Sequence, residues 1–256
     1  MKWDKKEVDF LIENYPKITP TKLALMMGRS VGSINVKLKS LNLNGKINKK
    51  YDKFNFDLKN KEHLYIMGFL WADGFIHKTL NRLELSISSD DFFDIESLFD
   101  DKNWAIYTRN RKNRKPQTTV GLYKEDVCGI FRNVYNYTNK SLECPNFIEK
   151  IDSEMVHYFI RGYFDGDGCF YISKDLIQKQ CYLCGDFNQD WNWMEKIFKD
   201  LNIEYNIKKK IQKTGKYSIV YIKRKSIKVF GNYIYNGYEK DMIGIVRKYK
   251  NFIKCF

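Results

Sequence analysis

The sequence predicts an α+β protein built from two αββαββα half-domains related by a pseudo-twofold axis, with a small three-helix domain in front of them. The strongest observation is an internal repeat: residues 64–74 read LYIMGFLWADG and residues 158–168 read YFIRGYFDGDG, which sets Asp73 against Asp167, 94 positions on. The second is a sustained register. Asp91, Phe92, Ile95, Glu96, Leu98 and Phe99 answer to Asp190, Trp191, Met194, Glu195, Ile197 and Phe198, Lys124 to Lys223, and Ile130, Phe131 and Asn133 to Val229, Phe230 and Asn232, all 99 apart. Five extra residues are therefore expected in the second copy, between Tyr171 and Tyr182, and a spacing otherwise constant marks a duplicated structural unit. The third is a separate set of helix-capping signals at the N-terminus.

Taken in order, residues 1–42 read as three short helices. Asp4 and Glu7 form a capping box and Pro16 closes the first helix. Thr19 caps a second helix with Pro20 at its first position, ended by Gly28 after Leu23, Leu25, Met26 and Met27. Ser30 caps a third, whose apolar Val31, Ile34, Leu38 and Leu41 share one face. The other face carries Ser33, Lys37 and Ser40, flanked by Arg29, Asn35 and Lys39, as on a recognition helix of a helix-turn-helix. A small bundle with a solvated basic face reads equally well from such short helices; twelve Lys or Arg against six Asp or Glu in residues 1–58 favour DNA. Residues 43–59 are polar, basic and aperiodic, a linker. The half-domains span 60–145 and 146–256, the second with a C-terminal tail. In each, a motif helix precedes a strand pair (75–88 or 169–187), a helix (91–100 or 190–201), a second strand pair turning at Lys115-Pro116 or Thr214-Gly215, and a helix (126–137 or 225–236).

The chain has 256 residues, 43% hydrophobic, and a formal charge of +14, with 18 Tyr and 18 Phe among the basic residues. That balance points to a polyanion, with nucleic acid ahead of a membrane surface. No apolar leader and no membrane span is apparent, so a soluble, intracellular protein is expected. The six Cys read as reduced thiols, and the lone pair Cys181 and Cys184 reads as part of a strand and not as half of a zinc site. Basic residues precede both hairpin turns: Arg109, Arg111, Lys112, Arg114 and Lys115 in one half, Lys208, Lys209, Lys210 and Lys213 in the other. Alternate members share a strand face, and a sheet so furnished suits a DNA groove.

The chemistry is expected at the ends of the two motif helices. Gly68 with Ala72, and Gly162 with Gly166, give each helix a stripe without large side chains, so the two helices can pack backbone to backbone. Asp73 and Asp167 then end the helices side by side, with Gly74 and Gly168 as C-terminal caps. Two carboxylates at the negative ends of two helix dipoles call for cations. Oxygen donors and few His favour Mg²⁺, and two such ions suit hydrolysis of a phosphodiester. An isolated Asp-Gly merely ends a helix; its duplication on a small-residue face argues for more.

The two segments resemble the motif of the LAGLIDADG homing endonucleases, in the single-chain form carrying two copies, over residues 60 to 240 and best at Gly68, Ala72, Asp73 and Gly74 and at Gly162, Asp165, Gly166, Asp167 and Gly168. The resemblance implies two half-domain sheets forming a saddle over a long pseudo-palindromic DNA site. It also implies two or more divalent ions held by Asp73 and Asp167 with Gly74 and Gly168, a staggered cut with 3′ overhangs, a monomer, and a lysine near the end of the last strand of each half, here Lys124 and Lys223, to polarise water or stabilise charge on the phosphate. Those two lysines read equally well as exposed residues before a helix. Trp71, opposite Asp165 in the other copy, departs from the motif. The N-terminal helices resemble Myb-like modules. An intron-splicing maturase that binds RNA, or a transcription regulator on the same scaffold, is the alternative; splicing-junction residues of an intein and the His pattern of zinc-dependent HNH nucleases are not seen.

Overall fold

The computed structural model describes residues 3–15, 20–41, 55–99, 103–110, 115–175, 177–213 and 215–256. Pro16, Thr19, most of the 43–59 linker, Arg111, Lys112, Arg114 and Thr214 lie outside these. The chain divides into two compact units, residues 1–53 and 54–256.

In the first unit α1 (Lys5–Asn14), α2 (Pro20–Met27) and α3 (Val31–Ser40) surround Leu11, Leu23, Ala24, Ile34 and Leu38. Asp4 and Glu7 form the expected capping box, and the Ser30 side chain accepts from Ser33 N–H. Gly28 sits between α2 and α3 at φ 61°, a left-handed conformation glycine adopts without penalty. Leu25 and Met26, which the sequence pattern placed with the apolar residues of α2, are exposed.

The second unit holds two copies of one arrangement around a continuous core. The first runs α4 (Lys61–Asp73), β1 (Phe75–Ile76), β2 (Leu83–Ser88), α5 (Ser89–Ile95), β3 (Trp104–Arg109), β4 (Gln117–Leu122) and α6 (Glu125–Asn133). The second runs α7 (Val156–Asp167), β5 (Gly168–Ile172), β6 (Lys179–Asp186), α8 (Asn192–Asp200), β7 (Tyr205–Gln212), β8 (Gly215–Ile222) and α9 (Ile227–Ile234), then α10 (Tyr238–Asp241) and α11 (Val246–Lys254). The sheets are antiparallel with orders β1-β2-β4-β3 and β5-β6-β8-β7. This is the duplication expected from the repeat, except that the C-terminal tail contains α11.

The strand register refines the repeat. Ile76 pairs with Leu83, and Phe170 with Cys181; Trp104 pairs with Leu122, and Tyr205 with Ile222. Equivalent strand residues are thus 98 apart in β2 and β6 and 100 apart in β4 and β8, not 99 throughout. Side chains alternate faces along a strand, so a one-residue error turns core positions outward. The even displacement keeps Val120 and Leu122, and Val220 and Ile222, all buried. The same alternation settles the CxxC pair: Cys181 lies in the core and Cys184 on the opposite face, and all six cysteines are free.

Candidate active site

α4 and α7 pack more extensively than any other pair of elements, and their contact repeats the sequence symmetry. A Cβ on Gly68 would overlap the carbonyl oxygen of Phe159, and one on Gly162 that of Tyr65. Gly68 and Gly162 are 94 apart, as are Tyr65 and Phe159, so each helix offers the same groove to the other. One turn on, Ala72 faces Gly166, whose added Cβ would lie 3.2 Å from Asp73 Oδ2. The small-residue stripes therefore bring the last turns together, and Asp73 and Asp167 with them.

The glycines after the acids do not act as left-handed caps. Gly74 has φ −74° and Gly168 φ −96°, both extended. Space makes glycine necessary there: a Cβ on Gly74 would meet the Tyr137 hydroxyl and Leu70 O, and one on Gly168 the Phe164 ring. The Gly168 carbonyl already accepts from Lys248 Nζ at 2.8 Å, leaving one lone pair for any further ligand.

Two lysines that the repeat does not reveal reach these helix ends. Lys140 Nζ donates to Ala72 O at 2.6 Å and Leu70 O at 3.1 Å. Lys248 Nζ donates to Phe164 O, Asp165 O and Gly168 O at 2.9, 2.5 and 2.8 Å. Each ammonium thus reaches carbonyls of the final helical turn, among them Ala72 O and Asp165 O, and opposes the negative end of the helix dipole. Lys124 and Lys223, expected to act on water or phosphate from the ends of the last strands, have other partners: Lys124 is buried and donates to Asn103 Oδ1, and Lys223 pairs with Glu204 at 3.5 Å. The lysines found lie in a loop after α6 and in α11, at unequal distances from their motifs, so no register in the repeat connects them. A helical spacing of Ile245, Tyr249 and Phe252 was the available signal for α11.

The electrostatics follow from this crowding. Burial first, and the neighbouring Asp73 charge second, together raise the Asp167 carboxyl from 3.8 to about 7 against the lowering by Lys140 and Lys248. Asp73 keeps solvent on its outer edge while protein packs its other sides; that packing raises its pKa, and Lys248 and Lys140 oppose the rise. Burial lowers Lys140 to about 8, with Asp167 and Asp73 acting the other way. A polar cavity of about 320 Å³ opens beside Asp167, bordered by Trp71, Lys140, Tyr163, Cys184 and Gln189.

The donor set fits a hard divalent cation. Two carboxylates that raise each other's proton affinity are relieved by positive charge, and the nearby donors are oxygens. Among the described residues no group of three or more His, Cys, Asp or Glu forms a metal cage, so water, backbone oxygen and DNA phosphate would have to complete the coordination. Asp165 is not part of the pair. It is buried, and its Oδ2 accepts from Tyr65 Oη of α4 at 2.8 Å and from Ile245 N at 2.9 Å. Its counterpart Trp71 packs edge-on against Tyr137 and Phe147.

No protein-family model and no curated protein matches the chain. Among solved structures, the homing endonuclease I-WcaI bound to its DNA recognition sequence is 19% identical; the match covers 82% of this chain and 93% of that one, with a TM-score of 0.55. The chain has the LAGLIDADG homing-endonuclease fold. I-GzeII, described as a LAGLIDADG homing endonuclease in complex with a DNA target, is 13% identical over 76% of this chain and 88% of its own, TM-score 0.47. Full-length WhiA from Thermatoga maritima is 14% identical over 80% and 62%, TM-score 0.46.

Within the LAGLIDADG fold, each sheet has one core face and one open face. Lys208 and Lys210 lie on the open face with Tyr217, Ile219 and Tyr221, as the strand alternation predicts. Lys208 Nζ stands 5.8 Å over the Tyr221 ring, and Lys210 Nζ donates to Tyr221 Oη at 2.9 Å. Lys209 is on the other face over Phe187, and Lys213 is exposed at the turn. In the first sheet Arg109 is exposed, stacked 5.1 Å over Tyr107, and Lys115 pairs with Asp90. In the N-terminal unit Asn35 is exposed and Ser33 and Lys37 are half-buried. Arg29 is drawn inward: its guanidinium donates to both Glu7 carboxylate oxygens, at 2.8 and 2.7 Å, lies 4.1 Å over Trp3, and its side chain is 6% exposed. A bidentate pair braces α1 against the start of α3, and removes Arg29 from the expected DNA contacts.

The Asp167 shift has a consequence for stability. A carboxyl whose folded pKa lies above its unfolded value favours folding at low pH and loses that contribution as pH rises through the folded pKa, here from about 4 to about 7. The metal-free melting temperature is expected to fall across that window. Lys140 does not confound it, because its burial penalty disappears only above about pH 8. Mg²⁺ is expected to restore more stability at pH 8 than at pH 5, and Asp167→Asn to flatten the metal-free profile. Calorimetry with and without chelator checks this; an unchanged slope in the variant contradicts it.

Proposed function

We propose that the chain is a site-specific double-strand DNA endonuclease, hydrolysing one phosphodiester in each strand with divalent metal ions, Mg²⁺ by donor chemistry. The observation that carries the reading is the paired placement of Asp73 and Asp167 at the ends of two tightly packed, twofold-related helices, each end backed by a lysine, half-buried Lys140 and buried Lys248. Asp73 and Asp167 would hold the ions with backbone oxygens at Gly74 and Gly168, water and phosphate. Ions so bound supply Lewis-acid polarisation of the scissile phosphate and a water of lowered pKa. The protein's own part is to present two anionic oxygens at fixed places. Lys140 and Lys248 anchor the last helical turns and add positive charge where the phosphate charge grows during reaction.

The open sheet faces, with Arg109 in one half and Lys208, Lys210 and Lys213 in the other, would follow the duplex, and Arg111, Lys112 and Arg114, outside the described residues, are proposed as further DNA contacts on their sequence position alone. Phosphate contacts there set register and base-edge contacts set the target. Two acids in one chain allow a monomer to cut both strands of a long pseudo-palindromic site, staggered with 3′ overhangs as the resemblance implies. The N-terminal helices, through Ser33, Asn35 and Lys37, would extend the contact on DNA.

Incubation of the protein with a pooled library of candidate insertion-site duplexes, in Mg²⁺, in Ca²⁺ and in chelator, tests the reading. Site-specific linear products in Mg²⁺ alone are expected. Tight binding of DNA or intron RNA with no cut under any condition would replace it with the maturase or regulator reading.

A further inference from the structure

The two lysines are held in unequal ways, and the difference lies in how each half grips the other. Lys248 rides on α11, an element of the second half whose first turn is seized by the first. Arg247 Nε and Nη2 donate to the two carboxylate oxygens of Asp91 at 2.6 and 2.8 Å, and Val246 N–H donates to Asp94 Oδ2 at 2.9 Å. Asp91 is 7% exposed, so the pair is partly desolvated and its hydrogen bonds are of the strong, charge-assisted kind. One residue before, Ile245 N–H donates to Asp165. One residue after, Lys248, 5% exposed, reaches the α7 carbonyls.

Asp190, the counterpart of Asp91 in the sequence repeat, lies just before α8, and its connection to the Lys140 segment is a backbone hydrogen bond, Asp190 N–H to Ser141 O at 3.2 Å. Lys140 itself rests on carbonyls of α4, within its own half. The crosswise grip therefore exists on both sides of the pseudo-twofold axis, as a charged bidentate pair on one side and a neutral bond on the other.

We propose that Arg247, clamped by Asp91 and aided by Asp94, is a positioning residue: it holds Lys248 at the end of α7 from the opposite half, so one of the two active sites depends on this clamp and the other does not. The consequence for cutting rests on the endonuclease reading above. Loss of the clamp is expected to slow cleavage of one strand selectively, because a displacement of about 1 Å in a positioned group can cost about 100-fold in rate.

The test uses Arg247→Ala in the full chain; the residue is 59% exposed in its side chain, so the fold should survive. On a supercoiled plasmid carrying the target, the wild type should pass to linear product. The variant should make its first nick within about twofold of the wild-type rate and its second at least tenfold more slowly, accumulating nicked circles. The swap Asp91→Arg with Arg247→Asp should restore linear product. A second readout needs neither DNA nor metal: amine labelling followed by mass spectrometry should show Lys248 becoming severalfold more reactive in Arg247→Ala, with Lys140 unchanged. Equal slowing of both strands, rates equal to wild type, or parallel exposure of both lysines would overturn the proposal. If the wild type cuts no duplex but Lys248 alone is released, the endonuclease reading fails and the clamp stands.

Discussion

Replacing Asp73 and Asp167 together by asparagine is expected to abolish DNA cutting, a fall of at least about 10⁴-fold if each lost anionic ligand costs about 10²-fold or more, while leaving DNA affinity nearly unchanged. Asparagine keeps the shape of the side chain but gives a metal a neutral donor in place of a charged one. The open sheet faces that would carry the duplex are untouched. Either single substitution is expected to abolish double-strand cutting. Plasmid cleavage in Mg²⁺ and binding in Ca²⁺, measured on the same preparations, separate the two effects. A double variant with full activity would remove the acids from the mechanism; one that no longer binds DNA would mean that they shape the interface instead.

The second large effect is expected from Gly68→Val or Gly162→Val. At both positions an added Cβ overlaps a carbonyl oxygen of the facing helix, and a backbone atom cannot swing aside as a side chain can. The helices must separate, at a cost at the upper end of the overpacking range, about 3 kcal/mol or more. Separation would also disturb Ala72 against Gly166, and with it the spacing of the two acids. The control is Gly129→Ala in α6, where a Cβ meets nothing within 4 Å and should stabilise the helix by up to about 1 kcal/mol. Urea denaturation of the three variants gives the comparison. A Gly68→Val protein as stable as wild type would show that the helices have room to spare.

Much of the architecture was legible because it is written twice. Two segments sharing Gly at 68 and 162 and Asp at 73 and 167 announce two helices that meet through small residues, and the packed structure returns that symmetry in Gly68 against Phe159 and Gly162 against Tyr65. Strand alternation was legible at Lys208 and Lys210, which share the open face. Alternation also caught what the alignment missed: the displacement of 98 and then 100 in paired strands, where a gapless 99 would bury the wrong face.

The sequence by itself determined the duplication, the order of elements in each half, the two acids at the helix ends, and the helix caps at Asp4 and Ser30, all of which depend on neighbours within a few residues or on one repeated spacing. Only the tertiary structure decided which lysines attend those acids. Lys140 and Lys248 meet their carbonyl partners from 68 to 84 residues away along the chain, contacts that no local pattern records. Nor could charge alone tell that Arg29 turns inward to Glu7, that Lys124 is buried against Asn103, or that Arg247 crosses to Asp91. A basic side chain is equally at home on a phosphate, a helix end or a carboxylate, and its choice is fixed by which of them folding brings within reach.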